Sequence, residues 1–124
     1  METALYLAAL LIALVGVAHS WLGERYILGR LFRRAELPHL FGGPEFTRNT
    51  LRFAWHLTTV AWLGFAVLLL QLADPPLTIP AVGGLIAAVF LVHGLAALIG
   101  SRGRHLSWPV FLAIAALAWW ATRP

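Results

Sequence analysis

Apolar residues gather along this chain in four long runs, roughly Ala4–Leu22, Thr50–Leu72, Ile79–Ile99 and Leu106–Ala121, with the polar residues collected between them. A helix needs about 20 apolar residues to cross a hydrocarbon core of ~30 Å. The first three runs meet that length, and Trp119 and Trp120 can finish the shorter fourth at an interface. The pattern predicts an all-α, polytopic membrane protein. It is expected to form a single domain over residues 1–124, an antiparallel four-helix bundle with spans at about 4–22, 50–72, 79–99 and 106–121.

The connections carry their own signals. Within Glu24–Leu37, Ile27, Leu28, Leu31, Phe32 and Ala35 fall on one helical face and Arg25, Arg30, Arg33 and Arg34 mostly on the other. A short basic amphipathic helix lying in the interface is expected there. Pro38 ends it, Gly42-Gly43-Pro44 turns the chain back, and Pro44 and Glu45 suit the first turn of the next helix. Asp74-Pro75-Pro76-Leu77-Thr78 breaks the chain between the second and third runs, with Thr78 placed to cap the third helix and Ser107 the fourth. Small residues at Ala9 and Ala13, at Ala96 and Gly100, and along Ala113–Ala118 offer close-packing faces.

Composition sharpens this picture. The chain is 60% hydrophobic and 11% charged over 124 residues, more apolar surface than a soluble domain of that size can bury. Gly16-Val17-Ala18 resembles a cleavage site, but Glu2 and no basic residue precede the first run, so an uncleaved helix is expected rather than a signal peptide. The absence of cysteine excludes disulfides, thiolate metal sites and covalently attached haem. All nine basic residues are arginine, which with the abundant Ala, Gly and Leu points to a GC-rich bacterial genome.

Those arginines also orient the chain. Arg25, Arg30, Arg33, Arg34, Arg48, Arg52, Arg102 and Arg104 lie in or beside the first and third loops, and only Arg123 lies opposite. By the positive-inside rule both loops are cytoplasmic and both termini periplasmic, in a bacterial inner membrane. The pI near 11.2 is then explained by topology and by contacts to anionic lipid headgroups, and nucleic acid is not an expected partner.

Three histidines interrupt three different apolar runs: His19, His56 and His93. An ionisable side chain inside a span is costly and implies a partner, a cavity or a function. Counted from the run ends at about 1.5 Å per residue, all three sit roughly 5–12 Å below the cytoplasmic interface. Asn49, Arg52, His56 and Thr59 are spaced 3, 4 and 3, one seam of a helix that should face the protein interior. His56 is expected within one side chain's reach of His19 or His93, with Gly16 and Gly94 leaving space beside those two and Ser20, Thr59 or Glu24 as supporting groups.

Such a cluster, with imidazole donors and no thiolate, would suit a transition-metal ion held by His19, His56 and His93, or haem b in a glycine-lined slot with Arg52 reaching a propionate. The blander readings are a carbonyl-bonded interfacial His19, an Arg52 snorkelling to phosphate, a Glu24 paired with Arg25 or Arg30, solvated His39 and His105, and interfacial tryptophans.

The phrases His19-Ser20-Trp21-Leu22-Gly23-Glu24, Leu51-Arg52-Phe53-Ala54-Trp55-His56 and Gly100-Ser101-Arg102-Gly103-Arg104-His105 resemble those of small, uncharacterised four-helix membrane proteins of bacteria. The resemblance covers nearly the whole chain and implies the fold, but brings no activity. Small multidrug exporters share the length and helix count, but their membrane-embedded Glu has no counterpart in the first run. Three function classes are left: a haem or metal protein for electron transfer or redox sensing, a transporter or proton-coupled channel, and a non-catalytic accessory subunit of a larger membrane complex or homo-oligomer. An enzyme is not expected, because no acid–base pair accompanies the histidines.

Overall fold

The structure, a computed structural model, describes residues 1–123. Four helices and no sheet strand occur among them. Helix α1 covers Glu2–Leu22 and runs on through a wide π-helical turn, Gly23–Leu28, and a last α-turn, Gly29–Leu31. Helices α2, α3 and α4 cover Glu45–Ala73, Ile79–Gly100 and Ser107–Ala121. By length and composition, Glu2–Leu31, α2 and α3 could each cross a membrane. The 15 residues of α4 rise only about 22 Å, short of a ~30 Å core on their own.

The caps follow the sequence signals in part. Thr78 accepts a hydrogen bond from the Ala81 N–H at 3.2 Å, capping α3 with Pro80 in its first turn. Pro44 sits at the N-cap of α2 with Glu45 in the first turn, where its charge meets the helix dipole. Ser107 does not cap α4: it is the first helical residue, and its hydroxyl bonds the His105 ring at 2.7 Å. The separate amphipathic helix expected over Glu24–Leu37 is not formed either. Its first half continues α1 to Leu31, and turns occupy Phe32–Glu36.

Each helix packs against its neighbours in sequence, α1 on α2, α2 on α3 and α3 on α4, and no other pair of helices comes together among the described residues. Gly16 faces Thr59 and Gly23 faces Trp55, Gly64 faces Val89 while Gly100 faces Phe53, and Gly94 faces Leu112 while Gly83 faces Thr122. In each adjacent pair one numbering rises as the other falls, so the helices run in opposite senses. The α1–α4 contact that would close a bundle is missing. The helices form an open row.

That row has no conventional core. Apart from Leu28 and Leu37 its buried positions are small, among them Ala9, Gly16, Ala66, Gly83, Ala87 and Ala97, and no large side chain is fully buried among the described residues. Leu11, Val17, Phe65, Ile99 and Trp120 are largely exposed. A soluble protein does the reverse. Small residues inside and large apolar ones outside suit helices that meet closely in a lipid environment.

Candidate functional site

Two helices, not three, build the polar centre. Ser20 and Glu24 are four residues apart on α1, hence on one face, and Arg52, His56 and Thr59 form a matching line on α2. Antiparallel packing sets the two lines against each other. Arg52 forks onto Glu24, with Nη2 2.8 Å from Oε1 and Nε donating to Oε2 at 3.2 Å. His56 Nε2 lies 3.4 Å from the same Oε2, and its Nδ1 lies 2.8 Å from the Ser20 hydroxyl. Ser20 in turn sits 2.8 Å from the Thr59 hydroxyl, which donates to the Gly16 carbonyl at 3.1 Å. One unbroken path therefore runs from Arg52 through Glu24, His56, Ser20 and Thr59 to the backbone of α1.

Its two ends differ. Arg52, Glu24 and His56 are each roughly 40–50% exposed, whereas Thr59 is buried. The path opens at the loop side and closes inside the helix pair.

The protons on this path can be counted. A carboxylate only accepts, so the contact to Glu24 needs a proton on His56 Nε2. Thr59 spends its single proton on Gly16, so Ser20 must donate to Thr59, and His56 Nδ1 must then donate to Ser20. Every bond is made only when the ring carries both protons. With a neutral ring, one of the four bonds loses its hydrogen.

His19 lies beside this path without joining it. Its ring stacks on Trp55, with centroids 4.5 Å apart and planes 1° from parallel, and Trp62 closes at 4.9 Å. Trp55 Nε1 donates to the His19 carbonyl at 3.1 Å, just where α1 widens into its π turn. Trp55 fits because Gly23 has no side chain: a Cβ there would collide with the indole. These two tryptophans pack between α1 and α2.

His93 belongs to neither group. Its Nδ1 bonds the Val89 carbonyl of its own helix at 2.8 Å, and its ring packs against Phe90 and Phe111. The spaces expected beside Gly16 and Gly94 are filled, by Thr59 and Trp62 in one case and by Leu112 in the other. No group of three His, Cys, Asp or Glu residues placed to hold an ion occurs among the described residues. The predicted three-histidine centre is thus not assembled, because equal depth on three helices does not make their side chains point together. Glu24 pairs with Arg52 and not with Arg25 or Arg30. His105 is also packed: it meets Phe53 edge-on at 5.4 Å and its N–H donates to Ser101 Oγ, while His39 is exposed as expected.

Asn49 takes no part in the hydrogen-bonded path and lines a groove toward α3 and the third loop that Arg52 and His56 also border. Ser20 and Glu24, assigned only a supporting part beside His19, prove to be the direct partners of His56. The signal for them was the Ser20-x-x-x-Glu24 spacing, complementary to Arg52-x-x-x-His56 in an antiparallel pair. The chain matches no protein-family model, no curated protein and no solved structure.

Proposed function

We propose that this chain is an integral protein of a bacterial inner membrane, crossing it four times with its arginine-rich loops in the cytoplasm and both termini in the periplasm, and that it works by binding and releasing a proton at His56. One observation carries this reading: both ring nitrogens of His56 are engaged, one by a hydroxyl and one by a carboxylate. A ring held in that way offers no lone pair to a metal or a haem iron. It does touch groups that exchange protons, and histidine is the side chain suited to proton exchange near neutrality.

Because the path ends at the Gly16 carbonyl, a proton enters and leaves by the same loop-side end. That favours a proton-driven change in how α1 holds α2 over a wire through the membrane. Proton-coupled transport of a small solute is the activity such a coupling serves. The test is nitrogen NMR of histidine-labelled protein in detergent micelles, with His56→Gln identifying the signal. The ring shifts should show hydrogen bonds at both nitrogens of His56, the Nδ1 signal moving in Ser20→Ala and the Nε2 signal in Glu24→Gln. Ring shifts unmoved by both substitutions would end this reading.

A second reading, the accessory subunit, is favoured by the open row, since α1 and α4 leave their outer edges bare. Extraction in a mild detergent would then yield the chain within a larger complex of fixed composition.

A further inference from the structure

A second site lies where α2 meets α3 and the third loop, bordering the polar path at Arg52 and His56. Arg102 and Arg104 line a small pocket there of about 60 Å³, together with Asn49, Ser101 and Glu45. Below it, and sharing Asn49, a mostly apolar groove of about 280 Å³ runs between α2 and α3, floored by Ala96 and Gly100 and walled by Phe53, Leu57 and Val60, with Arg52 and His56 at its border. From Asn49 to Val60 the groove descends about 16 Å along α2.

The charges at its mouth are not balanced. Arg48 is paired with Glu45 at 3.2 Å and Arg52 with Glu24, but among the described residues neither Arg102 nor Arg104 has an acidic partner. Arg104 lies over the Phe41 ring at 5.7 Å.

Arg102 is also held in an uncomfortable backbone state. Gly103 N–H donates to the Leu98 carbonyl at 2.8 Å and Arg102 N–H to the Ile99 carbonyl at 3.1 Å, the double bond of a Schellman cap. Arg102 occupies its left-handed position at φ 52°, where glycine is the usual residue. A charged side chain kept at a strained position points to a use for the charge.

We infer that this pocket and groove bind an anionic membrane phospholipid, its phosphate between Arg102 and Arg104 and one acyl chain along Leu57, Val60 and Ala96. The match is of charge and of direction. In a bilayer the phosphate sits at the interface and the chain points inward, and here unpaired guanidiniums stand at the loop level above an apolar trough. The inference does not rest on proton binding at His56, although His56 and Arg52 border the same groove.

Native mass spectrometry of the full chain in a neutral detergent tests it, with phosphatidylglycerol and phosphatidylcholine of identical chains offered together. Wild type should retain phosphatidylglycerol by roughly tenfold over phosphatidylcholine, the scale expected for one or two arginines near a lipid phosphate. Arg102→Gly should bring that preference close to parity while raising the unfolding temperature, a combination that a purely structural arginine cannot produce. Ala96→Phe, which fills the trough, should lower retention of both lipids. Arg33→Gln with Arg34→Gln removes two charges outside the site and should leave the preference intact.

Four results would overturn the inference: equal loss in the Arg33/Arg34 variant, an unchanged preference in Arg102→Gly, displacement of the lipid by inorganic phosphate alone, or displacement by palmitate as readily as by phosphatidylglycerol.

Discussion

Glu24 and Arg52 meet across the α1–α2 contact through two hydrogen bonds, and the same Glu24 oxygen that accepts from Arg52 Nε also faces His56. The arginine fork fixes the plane of the carboxylate and so aims its Oε2 at the imidazole. Lysine has no such fork.

The pair should therefore be coupled, though modestly, because both side chains are almost half exposed. A double-mutant cycle with Glu24→Gln and Arg52→Gln, read by unfolding in detergent, should give a coupling of about 0.5–1 kcal/mol. Arg52→Lys should lose most of it. Strictly additive effects would show that the fork does not hold the two helices together.

Thr59 should matter more than its size suggests. It is buried and links Ser20 to the Gly16 carbonyl. Thr59→Val keeps the shape and removes both bonds, and should cost about 1–3 kcal/mol, since Ser20 and His56 lose their order as well. Thr59→Ser should cost less. Equal stability of Thr59→Val and wild type would mean that the path carries no energy.

Two glycines should respond in opposite ways to the same change. A Cβ at Gly23 collides with the Trp55 indole, so Gly23→Ala should destabilise by about 1–3 kcal/mol and perturb Trp55 fluorescence. Gly84 has open space around it, so Gly84→Ala should be neutral or gain up to about 1 kcal/mol from helix propensity. Matching losses at both positions would contradict the packing described for Gly23.

Sidedness follows from the arginines alone. Reporter fusions at the C-terminus should read periplasmic, and fusions within Gly42–Pro44 cytoplasmic. Both turn residues Phe41 and Gly42 are exposed, so an insertion there should not disturb the helices. A cytoplasmic C-terminus would reverse the assignment.

The redox reading can be tested directly. Protein expressed with iron and haem precursor supplied should show no Soret band that disappears in His56→Ala, since both His56 nitrogens are already committed. A stoichiometric metal or haem lost in that variant would require the network to rearrange on binding.

Much of this protein was legible along the chain. The apolar runs located all four helices, Thr78 and Pro44 marked two starts, and the spacing of Arg52, His56 and Thr59, though not of Asn49, picked out the face of α2 that bonds α1. These features depend on residues a few positions apart, where helical geometry translates spacing into direction. The π turn at Gly23–Leu28 was not legible, because it accompanies the bond that a distant residue, Trp55, makes to the His19 carbonyl.

The sequence by itself determined position along each helix: counting from the ends of the runs puts His19, His56 and His93 at similar distances from them. It could not determine azimuth. Which way each ring points depends on how far each helix is rotated against its neighbours, and that is decided by contacts such as Trp55 on Gly23 and Leu112 on Gly94, between residues far apart in the chain. Those contacts stack His19 on Trp55, send His56 to Ser20 and Glu24, and leave His93 on its own helix. They join only helices adjacent in sequence, and α1 does not meet α4. The tertiary structure thus turned three histidines at matching places along their runs into one hydrogen-bonded pair of helices and two separate rings.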